Sequence, residues 1–244
     1  MNLVCFIPSK NRPNTKTYKL FEKNNIKVYH FLEPQDLDNY QVPNKININQ
    51  NDKGVSFVRN FMLEFAKKNS YEWVIFCDDD VSSFGKYENG KTVKKDTSIW
   101  LEVFEKAKEL PFEIIGINYC QHAWHEKKSY SINRKFAEVC ILMNTTNIYW
   151  KYKENTKEDR DFQLQTIQKG QGVLRFNHYW FQCPDVGTNA GGLYDLYKQK
   201  KDTQWAKKIV EDWHPFAKFQ KKRNRIDAKI DLRGFAEFHK KNVK

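Results

Sequence analysis

The sequence lacks an apolar run long enough to cross a bilayer, since a membrane-spanning helix needs about 20 consecutive apolar residues. Its longest apolar stretches have the length of strands and cover Leu3–Ile7, Trp73–Cys77 and Val139–Met143. The first residues also lack the charged and apolar regions that together make a secretory signal peptide. We therefore expect a soluble, unprocessed protein with no membrane partner.

Paired cysteines are absent as well. The five cysteines are an odd number, and no two of them have the CxxC spacing of a zinc or redox site. Cys5, Cys77 and Cys140 lie in apolar, strand-like runs, where a cysteine usually packs as a small buried hydrophobic residue. This usage argues against zinc and favours a reducing compartment, so we expect a cytoplasmic location.

Acidic residues are too few to balance the basic ones, and the formal net charge is +12. The excess is concentrated in residues 216–244, where ten Lys and Arg accompany three Asp and Glu. Such a surplus attracts polyanions, nucleic acid above all, although a lysine-rich composition alone would produce it equally well. We expect a main domain over residues 1–215 and a basic C-terminal extension over residues 216–244.

Strand and helix patterns follow one another along the chain. The predicted elements are strands at 2–7, 26–32, 45–48, 72–77, 113–119, 136–144 and 173–176, and helices at 15–24, 55–68, 99–109, 158–169 and 207–212. A polar hairpin or loop is expected at 126–133, and a loop rich in Gly, Pro and Asn continues to residue 192. This rhythm predicts an α/β fold with a mostly parallel sheet flanked by helices.

The most informative segment is the acidic triad Asp78-Asp79-Asp80, which directly follows an apolar strand. In an open parallel sheet, ligands bind beyond the carboxyl ends of the strands. Three adjacent acids repel one another unless a cation neutralises them, and Mg²⁺ or Mn²⁺ prefers carboxylate oxygens and readily shares a diphosphate. The triad therefore predicts a metal–diphosphate site, with an ordinary acidic surface turn as the alternative.

Arg59 and Asn60 lie near the middle of the helix that should pack beside this strand. An arginine there can neutralise phosphate or hold an aspartate through a bidentate contact. An exposed helix arginine is an equally good interpretation of Arg59 alone.

These motifs together resemble the GT-A glycosyltransferases. The resemblance rests on Ile7-Pro8-Ser9-Lys10-Asn11-Arg12-Pro13 after the first strand, on Gly54 to Asn60, and on the acidic triad. It implies that Pro8, Ser9 and Arg12 line a nucleotide pocket, with Glu33 near the base. It also implies that Asp78 and Asp80 hold a Mn²⁺ or Mg²⁺ ion at the diphosphate of a nucleotide-sugar donor, with Asp79 as a further ligand or a sugar contact.

Motifs in the second half look similar to the TET-associated glycosyltransferases of bacteriophages, over about residues 3–216. They are Glu158-Asp159-Arg160-Asp161-Phe162, Leu174 to Asn177, Gly187 to Gly192 and Asp212-Trp213-His214-Pro215. The resemblance implies transfer of a sugar, from a UDP-glucose-like donor, to 5-hydroxymethylpyrimidines in DNA.

Within this resemblance, Asp159 or Asp161 is the candidate general base of an inverting reaction, and Glu158, a cap-region acid of the same helix start, is the third candidate catalytic residue. Acids at a helix start are also favoured by the macrodipole alone, without any catalytic role. His178 and His214 are possible further metal ligands, although a lone histidine is more often structural. The glycines of the Gly187–Gly192 loop would let its backbone approach a ligand closely, or would only make a tight turn.

DNA as the acceptor gives the basic residues a role. Lys221, Lys222, Arg223 and Arg225 are candidates for phosphate contacts, and Trp124, His125 and Tyr130 could stack on a base. Two alternatives stay open, namely a GT-A enzyme with a glycan or protein acceptor and a non-catalytic DNA-binding protein on the same fold. A nucleotidyltransferase ranks last, because Pro8–Pro13 contains none of the glycines of a phosphate-binding loop.

Overall fold

The secondary structure alternates between strands and helices in the first part of the chain. The computed structural model describes residues 3–185, 188–222 and 225–242. Its first elements are β1 (Val4–Ser9), α1 (Thr17–Glu22), β2 (Lys27–Leu32), β3 (Lys45–Asn47), α2 (Val55–Lys68), β4 (Trp73–Cys77), β5 (Ser83–Glu88) and β6 (Lys91–Lys95). The predicted helix at 55–68 is confirmed, and the hairpin of β5 and β6 was not predicted although Asn89-Gly90 is a turn signal.

The second part of the chain completes the sheet and adds a C-terminal segment. Its elements are α3 (Ser98–Ala107), β7 (Ile114–Tyr119), α4 (Cys120–Ala123), β8 (Tyr130–Ile132), β9 (Cys140–Asn144), α5 (Glu158–Gln168), β10 (Val173–Gln182), α6 (Tyr194–Lys198), α7 (Lys201–Asp212), β11 (Ala217–Lys222), β12 (Arg225–Ile230) and α8 (Leu232–Asn242). The strand predicted to end at Phe176 runs on to Gln182, because Tyr179 to Phe181 pair with β5.

The main sheet has the order β3-β2-β1-β4-β9-β7-β10-β5-β6, with β8 beside β10. The four strands from β3 to β4 are parallel, as are β7 and β10. β9 runs antiparallel between β4 and β7, and β5 and β6 form an antiparallel edge. The expected α/β sheet with flanking helices is confirmed, and it is parallel in its first half and mixed beyond β4.

Two apolar clusters cover the two faces of this sheet. One cluster contains Phe6 of β1, Met62 of α2 and Phe162 of α5, and it continues to Trp213 and Phe235 near the C-terminus. The other cluster lies under α1 and α3. Buried aromatic side chains contribute most of the apolar area, at roughly 25 cal/mol per Å² removed from water.

The segment after residue 215, expected only as a basic extension, is folded where the structure describes it. β11 and β12 form an antiparallel hairpin, which packs on α7, and α8 packs on α5. Ala217, Ala228, Leu232 and Phe235 belong to the same apolar cluster as α2 and α5.

Cys5, Cys77 and Cys140 are fully buried free thiols in the sheet, as their apolar neighbours predicted. Among the described residues, no helix has the length and apolarity that crossing a membrane requires.

Candidate active site

The acidic triad follows β4, and its carboxylates bind different partners. Asp79 is buried and accepts hydrogen bonds from the Ser9 hydroxyl and the Arg12 guanidinium. Asp80 accepts hydrogen bonds from Arg12 Nη1 and Asn189 Nδ2, both at 3.2 Å. The Arg12 guanidinium therefore offsets part of the repulsion between the adjacent carboxylates Asp79 and Asp80.

Arg59 of α2 joins the acidic triad to the start of α5. Its Nη1 donates to Glu158 Oε1 at 2.8 Å, and its Nη2 donates to Asp78 Oδ1 at 3.4 Å. Burial raises the pKa of Asp78 to about 7 and the pKa of Glu158 to about 6, and the charge of Arg59 opposes both shifts. The ionised forms of both acids therefore depend on one guanidinium that is only 13% exposed.

A cavity lies between α2, β4, β9 and α5, and Asp159 lines it together with Asp78 and Arg59. Its Oδ1 accepts the backbone N–H of Arg160 at 2.8 Å, and no ion pair to Asp159 is found among the described residues. Neither Glu158 nor Asp161 lines this cavity. Of the three predicted catalytic acids, Asp159 is therefore the one that shares this cavity with Asp78 and Arg59.

Asp161 has a different environment, because its side chain is fully buried. Its carboxylate accepts hydrogen bonds from Trp213 Nε1 at 2.8 Å and Gln165 Nε2 at 2.7 Å, and it pairs with Lys153 Nζ at 3.3 Å. With these three donors the carboxylate ties α5 to the loop before it and to the segment after α7. The structure thus places Asp161 in a supporting position rather than at the cavity.

Val139 is a strained residue at the same cavity. Its φ is +65°, a left-handed conformation that a β-branched residue rarely adopts. Its carbonyl oxygen accepts the backbone N–H of Asp78 at 3.0 Å. Strain of this kind costs roughly 1–3 kcal/mol and is concentrated at functional sites. No pattern in the sequence predicts this conformation.

Two side chains that sequence reasoning missed hold the loop after β1. The Tyr40 hydroxyl contacts Ser9 Oγ at 2.8 Å and accepts the backbone N–H of Arg12 at 2.7 Å. Buried Asp36 accepts the backbone N–H of Asn11 at 3.2 Å. Tyr40 and Asp36 both follow β2, and the parallel pairing of β1 with β2 brings them to this loop. No short motif in the sequence connects them to it.

Glu33 lies at the end of β2 beside the same loop. Its buried carboxylate pairs with Lys10 Nζ at 2.9 Å and accepts a hydrogen bond from Gln35 Nε2 at 2.6 Å. Lys10 also pairs with Asp52. Glu33 therefore belongs to the predicted nucleotide side of the site, where Lys10 neutralises it.

Of two further predicted donor-site residues, Pro8 lies at the cavity and Asn60 lies away from the acidic triad. Pro8 lines the cavity. Asn60 Nδ2 donates to the Tyr152 carbonyl at 2.9 Å, and its Oδ1 accepts the Tyr152 N–H at 2.8 Å. Asn60 therefore fixes the chain before α5, and the structure does not bring it into contact with the acidic triad.

The described part of the Gly187–Gly192 loop packs against Arg12. The guanidinium donates to the carbonyls of Asn189, Ala190 and Gly191 at 3.2, 2.8 and 3.3 Å. Gly191 has a φ of +84°, and a Cβ there would lie 2.9 Å from the Lys10 carbonyl. A close backbone approach therefore requires glycine at this position, whereas Gly187 lies outside the described residues.

The two histidines do not join the acidic triad. His214 is exposed and has no contact with Asp78 or Asp80 among the described residues. His178 Nε2 lies 2.8 Å from the Glu126 carbonyl oxygen on the β10 side of the sheet. The predicted set of Asp78, Asp80 and His214 is thus not assembled, and the described ranges contain no group of three or more His, Cys, Asp or Glu arranged to hold a metal ion.

The acidic triad nevertheless has the chemistry of a two-carboxylate cation site. Asp78 Oδ2 and Asp80 Oδ1 have no hydrogen bond to any described residue, while the other oxygen of each acid contacts an arginine. Mg²⁺ usually retains several waters and takes one or two protein carboxylates together with substrate phosphates. In donor chemistry, these two free oxygens match what a divalent cation takes from protein when phosphates and water supply its other ligands.

The basic residues predicted to contact nucleic acid lie on the C-terminal hairpin. Lys221 is exposed, residues 222 and 225 pair with each other, and Arg223 lies outside the described residues. The aromatic candidates lie elsewhere, between β7 and β9. Trp124 and Tyr130 are 56% and 53% exposed, and the Trp124 ring stacks on His125.

Comparison with known proteins gives the family. The family model of the TET-associated glycosyltransferases matches residues 3–192, so the chain belongs to this family and is a glycosyltransferase. No curated protein matches the chain.

Among solved structures, A197 from STIV is 14% identical, with a TM-score of 0.44 over 74% of this chain and 84% of that one. A protein from Desulfovibrio desulfuricans G20, described as a candidate nucleotide-diphospho-sugar transferase, is 9% identical. Its TM-score is 0.42 over 82% of this chain and 96% of that one.

Proposed function

Because the chain belongs to the TET-associated glycosyltransferase family, we propose that it transfers a sugar from a nucleotide-sugar donor to 5-hydroxymethylpyrimidine bases in DNA. The donor is UDP-glucose-like, the reaction depends on Mn²⁺ or Mg²⁺, and the protein acts in the cytoplasm. Five free cysteines, three of them buried in the sheet, are consistent with a reducing compartment.

The Arg59 bridge is the observation that best supports this proposal. It joins Asp78, at the predicted donor diphosphate, to Glu158, at the start of the helix that also contains Asp159. Inverting transfer from a nucleotide sugar needs positive charge at the leaving diphosphate and a base at the acceptor hydroxyl, and acids can hold the cation and act as the base. Arg59 connects Asp78 with Glu158 and favours the ionised form of both acids against the effect of burial.

On the donor side, the loop after β1 would hold the nucleotide. Ser9 and Arg12 are oriented by Tyr40, and Glu33 lies beside them. Asp78 and Asp80 would hold the divalent cation, which would neutralise charge that develops on the departing diphosphate. Arg12, which is bound to Asp79 and Asp80, can contact the diphosphate as a second positive group.

On the acceptor side, Asp159 would accept the proton of the hydroxymethyl group as the sugar's anomeric carbon is attacked. It lines the cavity and has no competing ion pair among the described residues. Asp161 would act indirectly by holding α5 in place through Trp213 and Lys153.

The experiment is a nucleoside assay by mass spectrometry. The protein is incubated with UDP-glucose, Mn²⁺ and DNA containing 5-hydroxymethylcytosine, and the digested DNA is examined for a hexose adduct. We expect the adduct with the wild type, its loss with Asp80→Ala, and its retention with Glu109→Ala, which changes an exposed acid at the end of α3.

Two other results would change the proposal. Release of UDP without an adduct would keep the transferase and reject this acceptor, leaving a glycan or protein in its place. Absence of both adduct and nucleotide-sugar binding would instead favour a DNA-binding protein without catalysis.

A further inference from the structure

The C-terminal hairpin of β11 and β12 has two unlike faces. Its register pairs Ala217 with Ile230 and Phe219 with Ala228, and the two alanines of this face are buried against the core. The other face, here called the lysine face, contains exposed Lys218 and Lys229, half-buried Gln220 and buried Asp227. Directly opposed residues of an antiparallel pair project to the same side, so this alternation follows from the backbone pairing.

The lysine face opposes two like charges. Lys218 pairs directly with Lys229, both are exposed, and neither forms an ion pair with any described residue. Like charges directly opposite each other destabilise a sheet. Two ammonium groups that project from the same face do, however, concentrate positive charge that attracts the phosphates of a polyanion.

The lysine face lies next to the acceptor side of the candidate active site. Asp227, in the middle of the hairpin, is buried and pairs with Lys157 Nζ at 3.2 Å. Lys157 immediately precedes Glu158 and Asp159. One ion pair therefore spans the distance between this face and the start of α5.

We infer that the lysine face, through Lys218 and Lys229, docks the phosphate backbone of the DNA acceptor beside the catalytic cavity. This inference rests on the proposed function, because it takes DNA to be the acceptor. It adds residues that lie beyond the matched residues 3–192, and a place for the duplex relative to Asp159.

Binding of an unmodified DNA duplex, followed by fluorescence anisotropy across a salt series, tests the inference without chemistry. Lys218→Gln/Lys229→Gln should weaken binding roughly tenfold or more near 0.1 M salt and reduce the log–log salt slope by about 2. Lys218→Arg/Lys229→Arg should bind like the wild type. Lys91→Gln/Lys94→Gln, which removes two exposed lysines from the edge strand β6, should change binding less than twofold.

Equal weakening by both glutamine pairs, or weakening by neither, would overturn the inference. The nucleoside assay on the wild type then separates the two claims. A hexose adduct together with equal binding by the two glutamine pairs rejects the lysine face alone. Absence of both duplex binding and adduct rejects the DNA acceptor and the lysine face together.

Discussion

The acidic triad and the start of α5 each place three acids within three or four consecutive positions, yet these acids have different partners in the structure. The triad's carboxylates are neutralised by Arg12 and Arg59, two cations from the first quarter of the chain. The acids of α5 are divided among three environments, namely the Arg59 bridge, the cavity, and a buried network that includes Trp213.

This difference shows that the partner of an acid, rather than its place in a motif, indicates its role. An acid that lies beyond the carboxyl end of a strand and is neutralised by arginine can exchange that arginine for a ligand. An acid whose oxygens are saturated by buried donors has no such freedom, because losing a donor there costs the full desolvation penalty. Asp161 belongs to the second class, and Asp159 belongs to neither.

The largest expected effect comes from replacing Arg59, the arginine that pairs with both acidic regions. Arg59→Leu leaves Asp78 and Glu158 partly buried without a counter-charge, so we expect a loss of about 3–5 kcal/mol in the free energy of unfolding. Urea denaturation followed by circular dichroism measures it. Arg233→Leu is the matched control, because it breaks an exposed pair with Glu237 and should cost less than about 1 kcal/mol. Equal losses of unfolding free energy in the two variants would show that the Arg59 bridge does not stabilise the fold more than an exposed ion pair does.

The next-largest effect is on kcat, and it distinguishes Asp159 from Asp161. Asp159→Asn should lower kcat about 10²–10⁴-fold, because a general base is lost, while the free energy of unfolding changes by less than about 0.5 kcal/mol. Steady-state transfer to hydroxymethylated DNA and a urea titration measure the two quantities. Near-normal turnover in this variant would remove Asp159 from the proposed reaction.

The strand–helix order and the acidic triad could be predicted because their signals are local. Period-3.6 spacing gave α2 to the residue, and an apolar run before Asp78 gave the end of β4. The contacts that distinguish the site are long-range. Arg12 reaches Ala190, and Asp161 reaches Trp213, across parts of the chain that no spacing rule connects. The different surroundings of Asp159 and Asp161 depend on contacts of this kind.

The C-terminal segment illustrates the same limit. Its charge suggested a basic extension, whereas the alternation of Ala217, Phe219 and Ala228 with lysines forms a hairpin that packs on α7. The alternating pattern was present in the sequence, and the high lysine content obscured it.

A smaller effect, on stability alone, tests the supporting role of Asp161. Asp161→Asn leaves Lys153 and the Trp213 N–H with weaker partners, so we expect a loss of about 1–3 kcal/mol in the free energy of unfolding. Turnover per folded molecule should remain close to that of the wild type. Asp38→Asn, at an exposed acid after β2, should be nearly neutral. Loss of turnover with unchanged stability would reverse the assignment of the two aspartates.

The smallest effect depends on pH. Burial raises the pKa of Glu158 from 4.5 to about 6 in the folded protein, so the folded state binds more protons than the unfolded chain between these values. The contribution of Glu158 to stability is then fully present below pH 4.5 and is lost as pH rises through 6. Burial also raises the pKa of Asp78. Because the wild type and Glu158→Gln both contain Asp78, its contribution largely cancels in the difference between them.

The difference in unfolding free energy between wild type and Glu158→Gln, measured in chelator-treated buffer, should therefore fall by no more than about 2 kcal/mol across this range. Glu109→Gln, at an exposed position, should give a difference that does not vary with pH. A flat curve for Glu158→Gln as well would mean that Arg59 fully compensates the burial of Glu158. The start of α5 would then resemble the acidic triad in its electrostatics, and the contrast between the two regions would rest on Asp159 and Asp161 alone.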